Sequence, residues 1–496
     1  MRVLSILLLL AAAAFAFSLQ APFYLDDYAL FSDKAILAAD GWLRCFRLEQ
    51  TRPLTWLLFW ANYQLFGLNP LPWHAINLVL HMVATALVFD VQSRLIPRKA
   101  AIIGTAIFAI HPLQAEVASY VFARSSSFSL IFSLLSLREW TRGRHWYAVA
   151  WFVPALLAKE ECVTLPLFLA LLHLSMSRNR KEWAPITAML GLSLLAGLRV
   201  LFALSVTPGS PVGPNASIKP LEYLGSQGLA ILRYLQLLIV PYGFTFDPEL
   251  PLKTTWWAWA ILLGLILASF RQFDRARAGF FFLGGLVLLI PSSSIFTALD
   301  LAADRRMYLP MFAFSACIGL LLQRVNPKFL CALGAILFAL SVQRSYIWAD
   351  PVRLWSEAVD RAPDKIRPRL QLARSLPPAQ ALSVLREAKK ITSTDPQVAS
   401  ELGRVLLATG KPAESLAEFG IALAADPRSP RALTNRGVAL AYLGQSAAAA
   451  DDFRRAITVD PCFFEARWNL KRLHQELPPA HCDWTPQQKE ALEGNR

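Results

Sequence analysis

The chain has 496 residues, of which 55% are hydrophobic and only 17% charged, with a mean hydropathy of +0.40. A soluble globular enzyme is usually about a quarter charged, so neither an ordinary soluble enzyme nor a disordered chain fits. The net charge is +14; most of the excess lies before Tyr346, in the apolar part, where it reads as inner-leaflet anchoring of a membrane protein and not as nucleic-acid binding.

Apolar segments near 3–20, 73–92, 100–118, 120–137, 146–158, 161–177, 183–206, 256–270, 279–295, 309–323 and 329–345 predict an all-α polytopic bundle of about 11 spans over residues 1–345. The first resembles a signal peptide, with Arg2 ahead of an apolar run, but is read as a retained span. Basic residues then fall into five loops on one side: Arg94, Arg98 and Lys99; Arg138, Arg142 and Arg144; Arg178, Arg180 and Lys181; Arg271, Arg275 and Arg277; Arg324 and Lys328. The positive-inside rule makes that side cytoplasmic, with the N-terminus inside and the C-terminal tail outside. The segment 227–241 is read as a re-entrant or surface-lying helix, because counting it as a span would put 271–277 outside.

The remaining loops are external: a long one at 21–72, a second at 207–255 opened by the breaker-rich 207–215, and shorter ones at span ends. Polar residues collect there. Asp26 and Asp27 follow the first span, and two adjacent carboxylates at a membrane surface are expensive to desolvate. They read either as a solvated helix cap or as a general base or metal ligand. His111, Glu116 and Arg124 lie at another span end, Lys159 and Glu160 between two spans, and Asp304, Arg305 and Arg306 just before Tyr308. Arg199 sits inside an apolar segment, where an arginine costs roughly 2.5–3.5 kcal/mol on insertion scales unless it snorkels or meets an anion.

The tail, 346–496, repeats itself. Asp426-Pro427 recurs as Asp460-Pro461, and at the same step Gly403, Gly410, Phe419 and Ala422 are answered by Gly437, Gly444, Phe453 and Ala456. That step is the tetratricopeptide period, so an α-solenoid is expected, clear over 395–476 and degenerate over about 350–394, opening at Trp348. Such a solenoid commonly holds a polypeptide on its concave face; a passive spacer or dimerisation surface is the bland alternative. No CxxC pair marks a metal site, Cys317 and Cys331 read as core residues, and Cys462 and Cys482 can pair if the tail lies in an oxidising compartment.

The order of motifs resembles the membrane-plus-tetratricopeptide O-mannosyltransferases of the GT-C glycosyltransferase superfamily. The strings that carry the resemblance are Asp26-Asp27, Arg52 to Thr55 (RPLT), Asn77 to His81, and His111-Pro112 with Glu116 and Arg124. They continue with Ala158 to Glu160, Arg233-Tyr234 and Asp304 to Pro310. Thr51 stands where the family has His before RPLT, and Ser126 where it has an acid. The resemblance implies an inverting transfer of a sugar, mannose by the family's name, from a polyprenyl-phosphate donor to an acceptor, a protein hydroxyl, on the external face. Asp26 or Asp27 would be the catalytic base. Arg305, Arg306, Arg233 and Arg199 would bind the donor phosphate. Arg52, His111, Glu116, Arg124, Lys159, Glu160, Asp304 and Tyr308 would support them.

No cofactor is expected beyond the lipid-linked donor, and the need for a divalent metal is left open. Expected partners are that lipid and a protein or peptide bound by the tail, with no nucleic acid. The expected location is a bacterial inner membrane, tail in the periplasm. A non-enzymatic membrane-anchored scaffold or assembly factor is the alternative, and lipid or solute transport a weaker third, because the polar residues gather on one face.

Overall fold

The computed structural model describes residues 2–176, 183–206, 218–271, 278–298, 300–482, 484 and 486–493. The predicted basic residues Arg178, Arg180, Lys181, Arg275 and Arg277 and the breaker-rich 207–215 lie outside the described residues. The described chain is helical, without a strand, and divides into two compact units, Met1–Leu354 and Trp355–Arg496.

In the first unit the helix Pro70–Leu95 packs against Arg98–Ile110 and Arg124–Thr141, and Tyr308–Leu322 packs against Arg98–Ile110 and Ala278–Leu289. Small residues let these helices approach closely. A Cβ placed on Gly319 would stand 2.3 Å from the Ala100 carbonyl oxygen, and one on Gly284 2.5 Å from the Phe168 ring. A buried polar group also links Pro70–Leu95 to Tyr308–Leu322: Gln92 Nε2 donates to the Phe312 carbonyl and to Ser315 Oγ, both at 3.0 Å.

Four helices among the described residues are long and apolar enough to cross a membrane: Pro70–Leu95, Trp183–Val206, Asp304–Leu322 and Pro327–Trp348. A fifth span results if Arg98–Ile110 and Pro112–Ser119, bent by 49°, count as one. This corrects the expectation of about 11 spans. Several of the predicted segments are interrupted before they reach the roughly 20 residues a straight crossing needs. His111-Pro112 breaks one, while His145–Ala158, Trp256–Arg271 and Ala278–Ser292 are shorter apolar helices. Arg124–Thr141 instead carries Ser125, Ser126, Ser127, Ser129, Ser133 and Ser136 on its buried side. Residues 227–239 of the segment 227–241 belong to the helix Pro220–Ile239, which buries Tyr223, Tyr234 and several small residues and is not one of these spans. Cys317 is buried as expected, whereas Cys331 is exposed.

The second unit is a series of antiparallel helix pairs: Ile366–Ser375 with Pro378–Ile391, Pro396–Ala408 with Pro412–Ala425, and Pro430–Tyr442 with Ser446–Val459, followed by Phe464–Arg472. The matched positions explain themselves physically. The Phe419 ring lies where a Cβ on Gly403 would be, at 2.7 Å, and Phe453 does the same over Gly437 at 2.6 Å. Gly410 and Gly444 turn the chain between paired helices at φ +74° and +76°, which side chains disfavour. Asp395 caps the next helix through the amides of Gln397 and Val398. Cys462 and Cys482 form a disulfide. Trp348, expected to open the repeats, is instead buried in the first unit, edge-on to Tyr24 and stacked near Tyr120.

Candidate active site

The site is built around the turn after the first apolar helix. Leu25 sits at φ 37°, a conformation that costs a bulky residue on the order of 1–3 kcal/mol and that clusters at functional sites. The short helix Asp26–Leu30 follows at once. The two acids thereby part company. Asp27 is fully buried, and its carboxylate accepts the amides of Tyr24 (3.0 Å) and Phe122 (2.8 Å). Burial pushes the Asp27 carboxyl up to about 7, against the two amide bonds and the nearby Arg124 charge. Asp26 is exposed. Its carboxylate accepts from the Tyr120 hydroxyl at 2.9 Å, and its amide donates to the same oxygen at 3.2 Å.

Tyr120 leads to the arginines. The Arg305 guanidinium carbon lies 6.0 Å from the centre of the Tyr120 ring. Arg305 is held by Glu116, through its side chain at 2.5 Å and its amide at 2.9 Å, and by Asp300 at 3.1 Å. Beside it Asp304 pairs with Arg233 at 2.8 Å. Arg52 pairs with Glu160, with Nε donating at 3.0 Å, and feels the like charge of Arg305. Burial alone would raise the Glu160 carboxyl, but Arg52 and Lys159 outweigh it and hold the group down at about 2. Lys159 in turn donates to Ser126 Oγ (2.6 Å) and pairs with Glu161 (2.5 Å), so Ser126 takes part through its hydroxyl.

Other predicted residues are engaged elsewhere. Arg199 donates to the carbonyls of Arg47, Leu48 and Gln50, and so straps residues 47–50 instead of reaching the arginine cluster. The terminal nitrogens of Arg306 are taken up by the Tyr223 hydroxyl and the carbonyls of Ser292, Asp300 and Leu301. Tyr308 is buried against His81 Nδ1 at 3.0 Å. His111 bonds the Leu238 carbonyl and accepts the Leu113 amide across the helix break. Arg124 is buried on Asn77 Oδ1 (2.7 Å) and the Trp73 carbonyl (2.8 Å), over the rings of Phe59 and Trp73. Tyr120 was not singled out by its sequence; a tyrosine in an apolar string carries no pattern, and its place between Arg124 and Glu116 was the one available signal. No group of three or more His, Cys, Asp or Glu side chains suited to one metal ion occurs among the described residues.

The arrangement defines a polar site with one presented carboxylate, Asp26, and guanidinium groups within the same cluster. Residues 400–462 match the tetratricopeptide-repeat family. The chain is 22% identical to a protein O-mannosyl-transferase of Caenorhabditis elegans over 69% of its own length and 54% of that relative's. It is 27% identical to one of Drosophila melanogaster over 40% of this chain and 26% of the relative. It therefore spans about half or less of the length of these two relatives. Among solved structures, an Archaeoglobus fulgidus oligosaccharyltransferase covers 78% of this chain and 58% of its own at 13% identity, with a TM-score of 0.34. The similarity to the protein O-mannosyl-transferase of Caenorhabditis elegans extends over 376 residues. The chain is thus similar to protein O-mannosyl-transferases over part of their length, and it carries tetratricopeptide repeats over residues 400–462.

Proposed function

We propose that the protein is a membrane glycosyltransferase that moves a sugar, mannose by analogy with its relatives, from a polyprenyl-phosphate donor to a protein hydroxyl on the non-cytoplasmic face. The observation that carries this reading is the placement of an exposed acid, Asp26, and a paired arginine, Arg305, on one buried tyrosine. Asp26 takes the proton of the acceptor hydroxyl as its oxygen attacks the anomeric carbon. The bond from that carbon to the phosphate oxygen breaks, and its electron pair leaves with the polyprenyl phosphate, so the anomeric configuration inverts. The leaving phosphate is already anionic and needs no general acid. Arg305, with Arg233 and Arg52 beside it, offsets the charge that grows on it. Glu116, Asp300 and Glu160 hold those guanidinium groups until the phosphate arrives. Asp27 anchors the turn that presents Asp26.

The repeat tail would present the acceptor, and the Cys462–Cys482 disulfide supports an oxidising compartment for it. A GT-C-like bundle with further short or broken spans fits the apolar helices that fall below the length of a full crossing. The test uses membranes from cells with and without the chain, supplied with polyprenyl-phosphate-linked radiolabelled mannose. Label should enter the protein fraction only where the chain is present, and Arg305→Ala should abolish it. Equal labelling in both membranes would rule the reading out.

A further inference from the structure

Tyr120 is fully buried, and its hydroxyl is spent entirely on a residue 94 positions earlier in the chain. The two bonds form a ring: the Asp26 amide donates to the tyrosine oxygen, and that oxygen donates to the Asp26 carboxylate. A carboxylate held by one charge-assisted bond next to its own backbone keeps few of its rotamers. The tyrosine ring is itself fixed, near-parallel to Trp348 at 6.2 Å and edge-on to Phe246 at 5.6 Å, while its electron-rich face is turned towards Arg305. Its carbonyl accepts from Asn77 Nδ2 at 3.0 Å, and Asn77 also holds Arg124.

The short stretch Glu116–Arg124 thus touches both acids and Arg305. Glu116 holds Arg305, Tyr120 holds Asp26, and the Phe122 amide holds Asp27.

We infer that Tyr120 is a positioning residue that aims the Asp26 carboxylate through its hydroxyl and sets Arg305 through its ring, tying proton acceptance and phosphate binding to one side chain. The inference rests on the transfer reading above. It separates two functions of one residue that two substitutions can dissect. Tyr120→Phe keeps the ring and removes the hydroxyl; Tyr120→Leu removes both.

The experiment uses the full-length chain in native membranes, with polyprenyl-phosphate-linked radiolabelled mannose as probe and label in protein as product. Tyr120→Phe should lower kcat about 10- to 100-fold, the worth of one hydrogen bond to a charged group, and leave KM for the donor within about twofold. Tyr120→Leu should lower kcat at least as far and also raise donor KM severalfold. Tyr28→Phe, the exposed tyrosine two positions after Asp26, should change neither. Tyr120→Phe with wild-type kcat, or with only donor KM raised, would overturn the inference. So would a Tyr120→Phe chain that fails to accumulate in membranes, because the role would then be structural. Tyr120→Phe impaired while Asp26→Asn stays active would refute the base assignment and, with it, the inference. No transfer by the wild-type chain from this probe would overturn the reading and the inference together.

Discussion

The longer-range ion pairs of the two units span different distances in the chain. In the first, Arg52 meets Glu160 across 108 positions and Arg305 meets Glu116 across 189. In the second, Arg436 meets Asp452 across 16 and Arg374 meets Glu401 across 27, each within or between neighbouring repeats. A repeat array needs only its neighbours, so its stability is close to a sum of local terms. The polar site of the first unit exists only once the helices around it are assembled. The same ion pair is a local staple in one unit and the product of a complete fold in the other.

Substitutions should expose this contrast. The largest effect is expected at Arg305. Arg305→Ala leaves Glu116, 5% exposed, without its main partner, and breaking a buried pair in this way costs about 3–5 kcal/mol. Thermal unfolding of the purified full-length chain should show that loss, and adding Glu116→Gln should recover part of it. A double variant no better than the single one would break the comparison.

In the repeats, Gly437→Ala should cost about 1–3 kcal/mol, because its Cβ would meet the Phe453 ring at 2.6 Å. Limited proteolysis of the full chain should show earlier cleavage in the tail with transfer chemistry in the first unit retained. Asp395→Ala removes a cap that serves two amides and should cost about 1 kcal/mol, read by the same assay.

The smallest effect is one of pH. The Glu160 carboxyl is held below its ordinary value of 4.5, down at about 2, so its pairing with Arg52 contributes in full above pH 4.5. The contribution fades as pH falls from 4.5 towards 2, when the folded form must also take up the proton. Glu160→Gln should flatten that limb of the stability profile; an unchanged profile would show that the pair contributes little.

The repeats were legible because their signal is local. A period and a few small or aromatic positions suffice, and Gly403 against Phe419 shows what those positions are for. The apolar segments were legible as helices, and those at 73–92, 183–206, 309–323 and 329–345 as spans, but hydropathy does not reveal where His111-Pro112 breaks a helix or that Arg124–Thr141 buries a row of serines. The charged strings that hold Asp26, Glu116, Glu160 and Arg305 were legible at the ends of apolar runs. Their partners were not. An arginine in an apolar helix can be satisfied by carbonyls as well as by an anion, which is how Arg199 comes to hold residues 47–50. The different burial of Asp26 and Asp27, beside a positive φ at Leu25, and the contacts that place Tyr120 are encoded by no sequence spacing.

The central claim is that Asp26, and not its neighbour, accepts the proton in the transfer step. The rate of sugar transfer by Asp26→Asn, with Asp27→Asn alongside, tests it most directly. Asp26→Asn should lower kcat by about 10²–10⁴-fold at unchanged donor KM, the range of positioned acid–base catalysis. Asp27→Asn, whose side-chain oxygen can still accept a backbone amide, should keep most of the rate. An Asp26→Asn chain that transfers at the wild-type rate would contradict the account.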